Sequence, residues 1–178
     1  MMLYMVECGF SEPSLEAEWN TFYSGPKLAA LLDDVPGFRR SQRFCDVEPD
    51  DAPYIAIHEV VSAELLASPT YASAGGGSFL QWQPYITNWR RSVFSGMDRL
   101  REVRPSERLL VLDTEPKQIE GLQINWLQAA GLGNLVPSRG LAIVEISEVD
   151  AIRARVRDTV RVFEPISVQM VAKSAATS

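Results

Sequence analysis

His58 is the only histidine in the chain, and histidine is the side chain best suited to proton transfer near neutral pH. It lies within residues 54–61, where β-branched and apolar residues predict a strand. On a strand that faces a cavity, His58 would be the catalytic general acid or base. The alternative is a structural histidine, half-buried and bonded to a backbone group. The sequence leaves both interpretations open.

Arg40 and Gln42 are candidates for substrate binding, because they share one face of another predicted strand, residues 38–47. An inward-facing arginine could hold a carboxylate or an enolate through two hydrogen bonds. The alternative is an arginine-rich edge strand that pairs with Glu48 or Asp50. Strict alternation places Phe38, Arg40, Gln42 and Phe44 on one face, and Arg39, Ser41 and Arg43 on the other.

Several aromatic residues could form the walls of a site for a flat ligand, although core packing would explain them equally well. The candidates are Tyr23, Tyr54, Trp82, Tyr85 and Trp89. Trp82 and Tyr85 follow the run Gly75-Gly76-Gly77, which could carry a lid over a pocket. This run does not match a phosphate-binding loop, because no Lys-Ser or Lys-Thr pair follows it.

The sequence predicts neither a metal site nor a bound cofactor. Its two cysteines, Cys8 and Cys45, are far apart and, with one histidine, provide no cluster with metal-ligand spacing. It contains no dinucleotide-binding fingerprint and no signature of a Ser-His-Asp hydrolase. We therefore expect cofactor-free chemistry.

The composition restricts the class of partner. The 178 residues carry a formal net charge of −6, which argues against nucleic acids and anionic membranes as main partners. The ligand expected for the candidate site is a small molecule. No apolar run is long enough to cross a bilayer, and the first residues lack the basic segment of an export signal. We expect a cytoplasmic protein whose thiols are free and buried.

Hydrophobic spacing predicts the same order of elements twice. In the first half it predicts strands at residues 2–8, 38–47, 54–61 and 86–94, a helix at 14–34 broken at Gly25-Pro26, and a short helix at 62–68. In the second half it predicts strands at residues 108–114 and 140–147, helices at 117–132 and 149–159, and an interrupted strand at 160–171.

A weak internal repeat supports a duplication. Residues 55–60, IAIHEV, align with residues 141–146, LAIVEI. We predict a first half at residues 1–100, a connecting segment at 101–107, a shorter second half at 108–172 and a frayed tail at 173–178. Each half follows a ferredoxin-like order, and two such sheets placed face to face would bury the apolar face that each leaves open.

Residues of the first half also follow the pattern of a known family. They are Trp19, Phe22-Tyr23, Pro26, Leu28, Val35-Pro36-Gly37-Phe38, Gln42-Arg43-Phe44 and Leu65-Leu66-Ala67-Ser68-Pro69. On these residues, the first half resembles the EthD-like branch of the dimeric α/β-barrel proteins. The resemblance implies an α+β fold in which two fused ferredoxin-like units form an α/β barrel around a small cavity, and it favours a homodimer. The family often has a histidine before the proline of its first helix, but this chain has Ser24-Gly25-Pro26 there.

The resemblance and His58 together give three functional hypotheses. The first is a cofactor-free isomerase or lyase that transfers a proton on a ring-containing or acidic metabolite, with His58 as the acid or base and Arg40 or Gln42 near the oxyanion. The second is a non-catalytic ligand-binding or assembly module, which the missing family histidine favours. The third is a cofactor-independent monooxygenase.

Overall fold

A computed structural model of the chain describes residues 1–49, 51–97, 99–114, 121–133, 136–156 and 160–173. It has an α+β fold in which eight antiparallel strands close into a barrel, with a few helices packed outside. The predicted barrel is therefore confirmed. Within these residues, no helix has both the length and the apolar character needed to cross a membrane.

The elements are labelled here in chain order. The strands are β1 (Met2–Phe10), β2 (Phe38–Asp46), β3 (Tyr54–Val60), β4 (Ile86–Ser95), β5 (Glu107–Leu112), β6 (Asn125–Gly131), β7 (Ser138–Glu145), β8 (Val160–Pro165) and β9 (Met170–Val171). The α-helices are α1 (Glu16–Phe22), α2 (Leu28–Asp34), α3 (Pro69–Ser73) and α4 (Val149–Val156). A π-helical turn (Tyr23–Lys27) and three 3₁₀ turns (Glu64–Ala67, Leu80–Tyr85 and Ile146–Glu148) complete the list.

The order of strands around the barrel is β3-β1-β4-β6-β7-β5-β8-β2, and pairing of β2 with β3 closes the ring. The strands β1 to β4 are therefore neighbours in this ring and form one half of the barrel, and β5 to β8 form the other half. The halves meet along two short seams, where residues 93–95 of β4 pair with β6 and residues 44–46 of β2 pair with β8. β9 extends the second seam by pairing with β2. Of the predicted tail, only Lys173 lies within the described residues.

One predicted helix is wrong. Residues 117–132 were expected to be helical, but β6 occupies Asn125–Gly131, and residues 117–120 lie outside the described part of the chain. The spacing of the apolar residues here fits the period of a helix as well as that of a strand. In the structure Leu127 faces the barrel interior, and Trp126 packs outside it. Pairing with β4 on one side and β7 on the other makes this segment a strand. Trp126 lies opposite Gly140, where a Cβ atom would come within 3.1 Å of the indole ring.

A register shift in β2 changes which residues share a face. The pairing of β2 with β3 slips between Phe38 and Arg40, as in a β-bulge. Phe38 therefore joins the cluster under the helices, although Phe44 faces the barrel interior. The strict alternation predicted from the sequence fails at Phe38 alone. The preceding Gly37 has φ of +112°, a conformation that favours glycine and ends α2 sharply.

The barrel interior is an apolar core with charged groups towards both ends. Its middle contains Leu3, Met5, Phe44, Ile55, Ile57, Phe94, Leu109, Val111, Leu127, Leu141 and Phe163. Glu59 lies opposite Leu3 on the β1–β3 pair, and Glu7 lies opposite Ile55. The two carboxylates are therefore four residues apart along the strands, or roughly 13 Å.

Glu7 connects the two halves of the barrel by ion pairs. Its carboxylate accepts hydrogen bonds from Arg139 on β7 at 2.9 Å and from Arg161 on β8 at 2.7 Å. Arg139 also binds both carboxylate oxygens of Asp113, and Arg161 contacts Asp46 at 3.2 Å. Burial alone would raise the pKa of Glu7, but the two guanidinium groups outweigh burial and lower it.

The connecting segment, residues 101–107, runs along the surface and is anchored to the core by one side chain. Its residues 101, 102, 104, 105 and 106 are exposed, whereas Val103, like the preceding Leu100, is buried against the barrel interior. The Gln42 side-chain amide bonds both backbone groups of Val103, with its nitrogen 2.8 Å from the carbonyl oxygen and its oxygen 3.0 Å from the amide nitrogen. The same side chain reaches the Ser167 carbonyl at 3.0 Å. Gln42 therefore fixes the segment that joins the halves.

We expect Glu7→Gln to lower the free energy of unfolding by about 3 kcal/mol, because it leaves two buried or half-buried guanidinium groups without their shared anion. Urea unfolding monitored by tryptophan fluorescence measures the change. The matched control is Glu164→Gln, since Glu164 is half exposed and paired with Arg108 at 3.4 Å. The control should cost less than about 1 kcal/mol. Equal losses in the two variants would contradict the importance of the Glu7 ion pairs.

Candidate functional site

A narrow cleft lies between the outer face of the sheet and the helical segments of the first hundred residues. The strands contribute Tyr4, His58 and Trp89, and the helical segments contribute Tyr23, Lys27 and Tyr71. Residues 75–79, called the glycine loop here, close one side with Gly77, Ser78 and Phe79. Among the described residues, the lining of this His58 cleft includes two nitrogen bases and no carboxylate.

The π-helical turn positions Lys27. Pro26 has no N–H group to donate, and α1 continues into α2 through this widened turn instead of breaking. Lys27 is then on the buried side with Leu28, Leu31 and Leu32, and it is only 8% exposed. Its ammonium group has desolvated surroundings, which lower the pKa of Lys27 to about 8.

His58 is fully buried on the outer face of β3. Its Nδ1 lies 2.8 Å from the Ser41 hydroxyl on β2, and its ring stacks on Tyr4 with 5.4 Å between centroids. Its Nε2 is buried and has no hydrogen-bond partner among the described residues. A buried polar atom without a partner is costly, so a ligand that bonds Nε2 would gain affinity from it.

Burial lowers the pKa of His58 to about 3, and the nearby cations of Lys27 and Arg43 add to the effect. The imidazole is therefore neutral at physiological pH. If the Ser41 hydroxyl donates to Nδ1, the ring proton is on Nε2, and His58 offers a hydrogen-bond donor to the cleft. A neutral ring of such low basicity is better suited to donating a hydrogen bond than to accepting a proton.

Two tyrosine hydroxyls form the polar floor of the cleft. Tyr4 and Tyr71 are 2.9 Å apart, hydroxyl oxygen to hydroxyl oxygen, and both are buried. Burial is the main reason why the pKa of Tyr4 is raised, with the neighbouring Tyr71 as a further cause. One of the two hydroxyl protons is engaged in this bond, which leaves the other for a ligand oxygen.

Arg43 is a second buried cation near the cleft, and the sequence had not indicated it as a candidate site residue. Its guanidinium carbon is 4.2 Å from the centre of the Tyr23 ring and 4.7 Å from that of Trp19. It donates to Asn20 and Ser24, and no carboxylate is within ion-pair distance among the described residues. The only feature of the sequence that points to Arg43 is the alternation along β2, which places it on the same face as Ser41, the partner of His58. Lys27 was also missed, although its spacing to Leu31 places it on the apolar stripe of α2.

Arg40 and Gln42 are not close to His58 across one surface. Arg40 binds both carboxylate oxygens of Glu59 at 2.9 and 3.0 Å, and Gln42 holds the connecting segment. Both side chains belong to the interior side of the sheet, whereas His58 belongs to the helical side. The sheet separates them, so the proposed partnership of His58 with an Arg40 or Gln42 oxyanion contact has no geometric basis.

The predicted aromatic residues are divided between the cleft and its surroundings. Tyr23 lines the cleft, as does Trp89. Tyr54 donates its hydroxyl to Glu16 at 2.7 Å and packs against Trp19. Trp82 and Tyr85 lie beyond the cleft and contact Phe10. Their role in this structure is packing of the helical layer.

The cleft is nearly closed in this conformation. The centre of a water-sized sphere can move through only about 10 Å³ of it, which is room for about one water molecule. A larger ligand therefore requires displacement of a wall. The glycine loop is the wall that could be displaced without unwinding a helix or strand, because no helix or strand runs through residues 75–79. It is held by the Gly76 N–H bond to the Tyr71 carbonyl at 2.8 Å and by the Phe79 N–H bond to the Gln83 side chain at 3.1 Å.

We expect the ring of His58 to remain neutral between about pH 5 and 8. Its NMR signals, unique in the chain, should not titrate in that range. Unfolding returns the pKa to about 6.5, so below that pH the unfolded chain takes up a proton that the folded chain excludes. The contribution of neutral His58 to the free energy of unfolding is thus complete above about pH 6.5. It is lost as the pH falls towards about 3, at about 1.4 kcal/mol per pH unit.

The control for this prediction is His58→Gln, in which that component of the pH dependence should be absent. A His58 ring that titrates near pH 6.5 in the folded protein would contradict the buried neutral state.

No model of a protein family matches the chain, and no curated protein matches it. Solved structures do match. An anthrone oxidase-like protein is 12% identical with a TM-score of 0.59, and the match covers 98% of this chain and 94% of that one. A "putative monooxygenase" from Lactobacillus acidophilus NCFM is 8% identical with a TM-score of 0.53, covering 96% and 98%. A "putative chlorite dismutase" is 9% identical with a TM-score of 0.54, covering 94% and 96%. At these identities the likeness establishes the fold alone, which is of the dimeric α/β-barrel type.

Proposed function

We propose that the protein is a small-molecule enzyme that binds a flat ring compound in the His58 cleft, ionises it next to a carbonyl group and allows the anion to react with molecular oxygen. The observation that carries this proposal is the composition of the cleft. It combines aromatic walls, a cation and an unpartnered imidazole nitrogen, and its described lining has no carboxylate. Such surroundings favour an anionic form of the ligand over its neutral form.

The reaction converts a ring CH₂ group into a carbonyl. A C–H bond next to the existing carbonyl breaks, the proton goes to the protein and the electron pair moves to the carbonyl oxygen as an enolate. The enolate carbon then forms a bond to O₂, and protonation gives a hydroperoxide. Loss of water leaves the new C=O, so that CH₂ + O₂ gives C=O + H₂O. Oxygen is the oxidant and the ring carbon is oxidised.

Two considerations favour oxygenation over isomerisation or elimination. The solved structures that share this fold include an anthrone oxidase-like protein and proteins described as "putative monooxygenase". Of the two nitrogen bases in the cleft, only Lys27 keeps a pKa near neutral, whereas isomerisation also needs a proton returned at a second position. Ionisation is common to all three reactions, so the same residues bind the substrate in each.

A second candidate function is ligand binding without conversion. The observation that favours it is the small free volume of the cleft together with the low basicity of His58. A protein of this kind would hold a ring acid by the same cation and the same imidazole donor. Binding of the panel described below without oxygen uptake or isomerisation would identify this function.

We also infer that the two halves of the barrel are tandem copies of one ferredoxin-like unit, with residues 1–100 and 108–172 as the copies. Support comes from the strand orders β3-β1-β4 and β7-β5-β8, which match within the halves and leave β2 and β6 as the outer strands of each. β6 takes the place in the second copy that β2 takes in the first, so each copy contributes four strands. The His58 position corresponds to Val144 in the second copy, so only the first would carry the chemistry.

The test of the oxidase function is oxygen uptake with a panel of anthrone, 1,8-dihydroxyanthrone and 2-hydroxynaphthoquinone. We expect uptake of one O₂ per ketone formed from an anthrone. His58→Gln should lower kcat by about 100-fold, because a hydrogen-bond donor to the enolate oxygen is lost or misplaced. The control is Glu12→Gln, whose exposed carboxylate contacts only Ser14 near the start of α1. Proton exchange or isomerisation under nitrogen, with no oxygen uptake, would instead support an isomerase.

A further inference from the structure

We propose that Lys27, and not His58, is the residue that accepts the substrate proton, and that in the absence of substrate its amino group holds the glycine loop closed over the cleft. This inference rests on the proposed function, because it names the proton acceptor for the ionisation step. It departs from the expectation that the single histidine performs the acid–base chemistry.

The contacts of the Lys27 amino group are the first argument. Nζ donates to the backbone carbonyl of Gly75 at 3.0 Å and to that of Ser78. It also lies 5.2 Å from the ring centre of Phe79 and 5.7 Å from that of Tyr23. Among the described residues no carboxylate is within ion-pair distance of it. Lys27 is thus a nearly buried basic group whose hydrogen-bond partners are all in the loop that closes the cleft.

The number of hydrogen bonds suits a group that cycles between two protonation states. A neutral amine has two N–H groups and one lone pair, and the two carbonyl oxygens satisfy both donors. The lone pair is then available for a substrate proton. The ammonium form has a third N–H, which an enolate oxygen can accept. Desolvation brings the pKa of Lys27 to about 8, close to the pH at which a general base is most effective.

The ionisable groups around Lys27 reinforce this assignment. They are Tyr4 on β1, Tyr23 in the π-helical turn, Arg43 on β2, His58 on β3, Tyr71 on α3 and Arg91 on β4. Burial raises the pKa of Tyr4 and Tyr23, so both stay neutral. The remaining permanent charges, on Arg43 and Arg91, are positive. They favour an anion once substrate is bound, while burial lowers the pKa of Lys27 itself.

Proton transfer and opening of the loop follow from the same contacts. The substrate C–H bond breaks, its proton goes to the Lys27 lone pair, and its electron pair moves to the carbonyl oxygen of the substrate. The neutral His58 donates from Nε2 to that oxygen. Because the empty cleft admits about one water molecule, a ring compound must displace residues 75–79. A ligand oxygen that replaces the Gly75 or Ser78 carbonyl at Nζ releases the loop and fills the vacated position.

The first test measures the amino group without a substrate. The chain has three lysines, Lys27, Lys117 and Lys173, and ¹³Cε NMR of lysine-labelled protein resolves their titrations. Lys173 is an exposed reference, with 88% of its side chain accessible. We expect Lys27 to titrate near pH 8, well below the pKa of about 10.4 of a lysine in water. Titration of Lys27 at the pH of a lysine in water would overturn the proposal, whatever the outcome of the oxygen-uptake assay.

The second test compares two variants at one position. Lys27→Arg keeps the positive charge but cannot accept a proton, and Lys27→Met keeps the length without charge. Both should lower kcat by at least about 100-fold, while only Lys27→Arg retains a KM close to that of the parent chain. The rise of kcat with pH, with an inflection near pH 8, should disappear in Lys27→Arg. A Lys27→Met protein with the parent pH profile and kcat would overturn the proposal.

Amide hydrogen exchange at residues 75–79 tests the loop contact separately. We expect faster exchange there in Lys27→Met than in the parent chain, with no change at β1 or β3. The control, Lys173→Met, removes an exposed ion pair with Asp33 and should leave exchange in the glycine loop unaltered. Unchanged exchange in Lys27→Met would overturn the role of Lys27 in holding the loop. If no panel compound is oxidised, the oxidase function fails, but the NMR and exchange results still decide the assignment of Lys27.

Discussion

The Glu7 carboxylate is the interaction on which closure of the barrel depends. The two halves share only short runs of backbone pairing at their seams, so strand hydrogen bonds contribute little to holding them together. Glu7 on β1 receives one arginine from β7 and one from β8, and each of those arginines binds a further carboxylate. A buried charge is tolerated only when it is paired, so this cluster permits one arrangement of the halves and disfavours others.

Closure of the barrel also determines where chemistry can occur. The interior is filled by apolar side chains, and towards its two ends lie the Glu7 cluster and the Arg40–Glu59 pair. The polar groups without strong partners lie instead on the outer face of the first half, under the helices. Because side chains alternate along β2, Gln42 points into the barrel and Arg43 points out of it. One strand therefore contributes side chains both to the barrel interior and to the layer around the cleft.

The sequence predicted most of the strands, because alternation along them and the Val35-Pro36-Gly37 stop are local signals, whereas the barrel followed from the family resemblance. It failed for residues 125–131, where apolar residues satisfy the periods of both a helix and a strand and tertiary pairing decides. It placed Phe38 on the wrong face, since a bulge leaves no mark in composition. Of the candidate site residues that it predicted, His58, Tyr23 and Trp89 line the cleft. It missed Lys27, because a lysine is normally exposed and only the π-helical turn and the three-dimensional packing show it to be buried.

Every residue that lines the cleft lies between positions 4 and 89, within the first half of the chain. The corresponding face of the second half is apolar, with Leu110, Ala142, Val144 and Val162 in its cluster. Among the described residues, this one-chain barrel therefore has one such cleft, whereas a barrel assembled from two identical units would have two. The proposed binding at this cleft predicts hyperbolic saturation of a single copy, with a Hill coefficient of one.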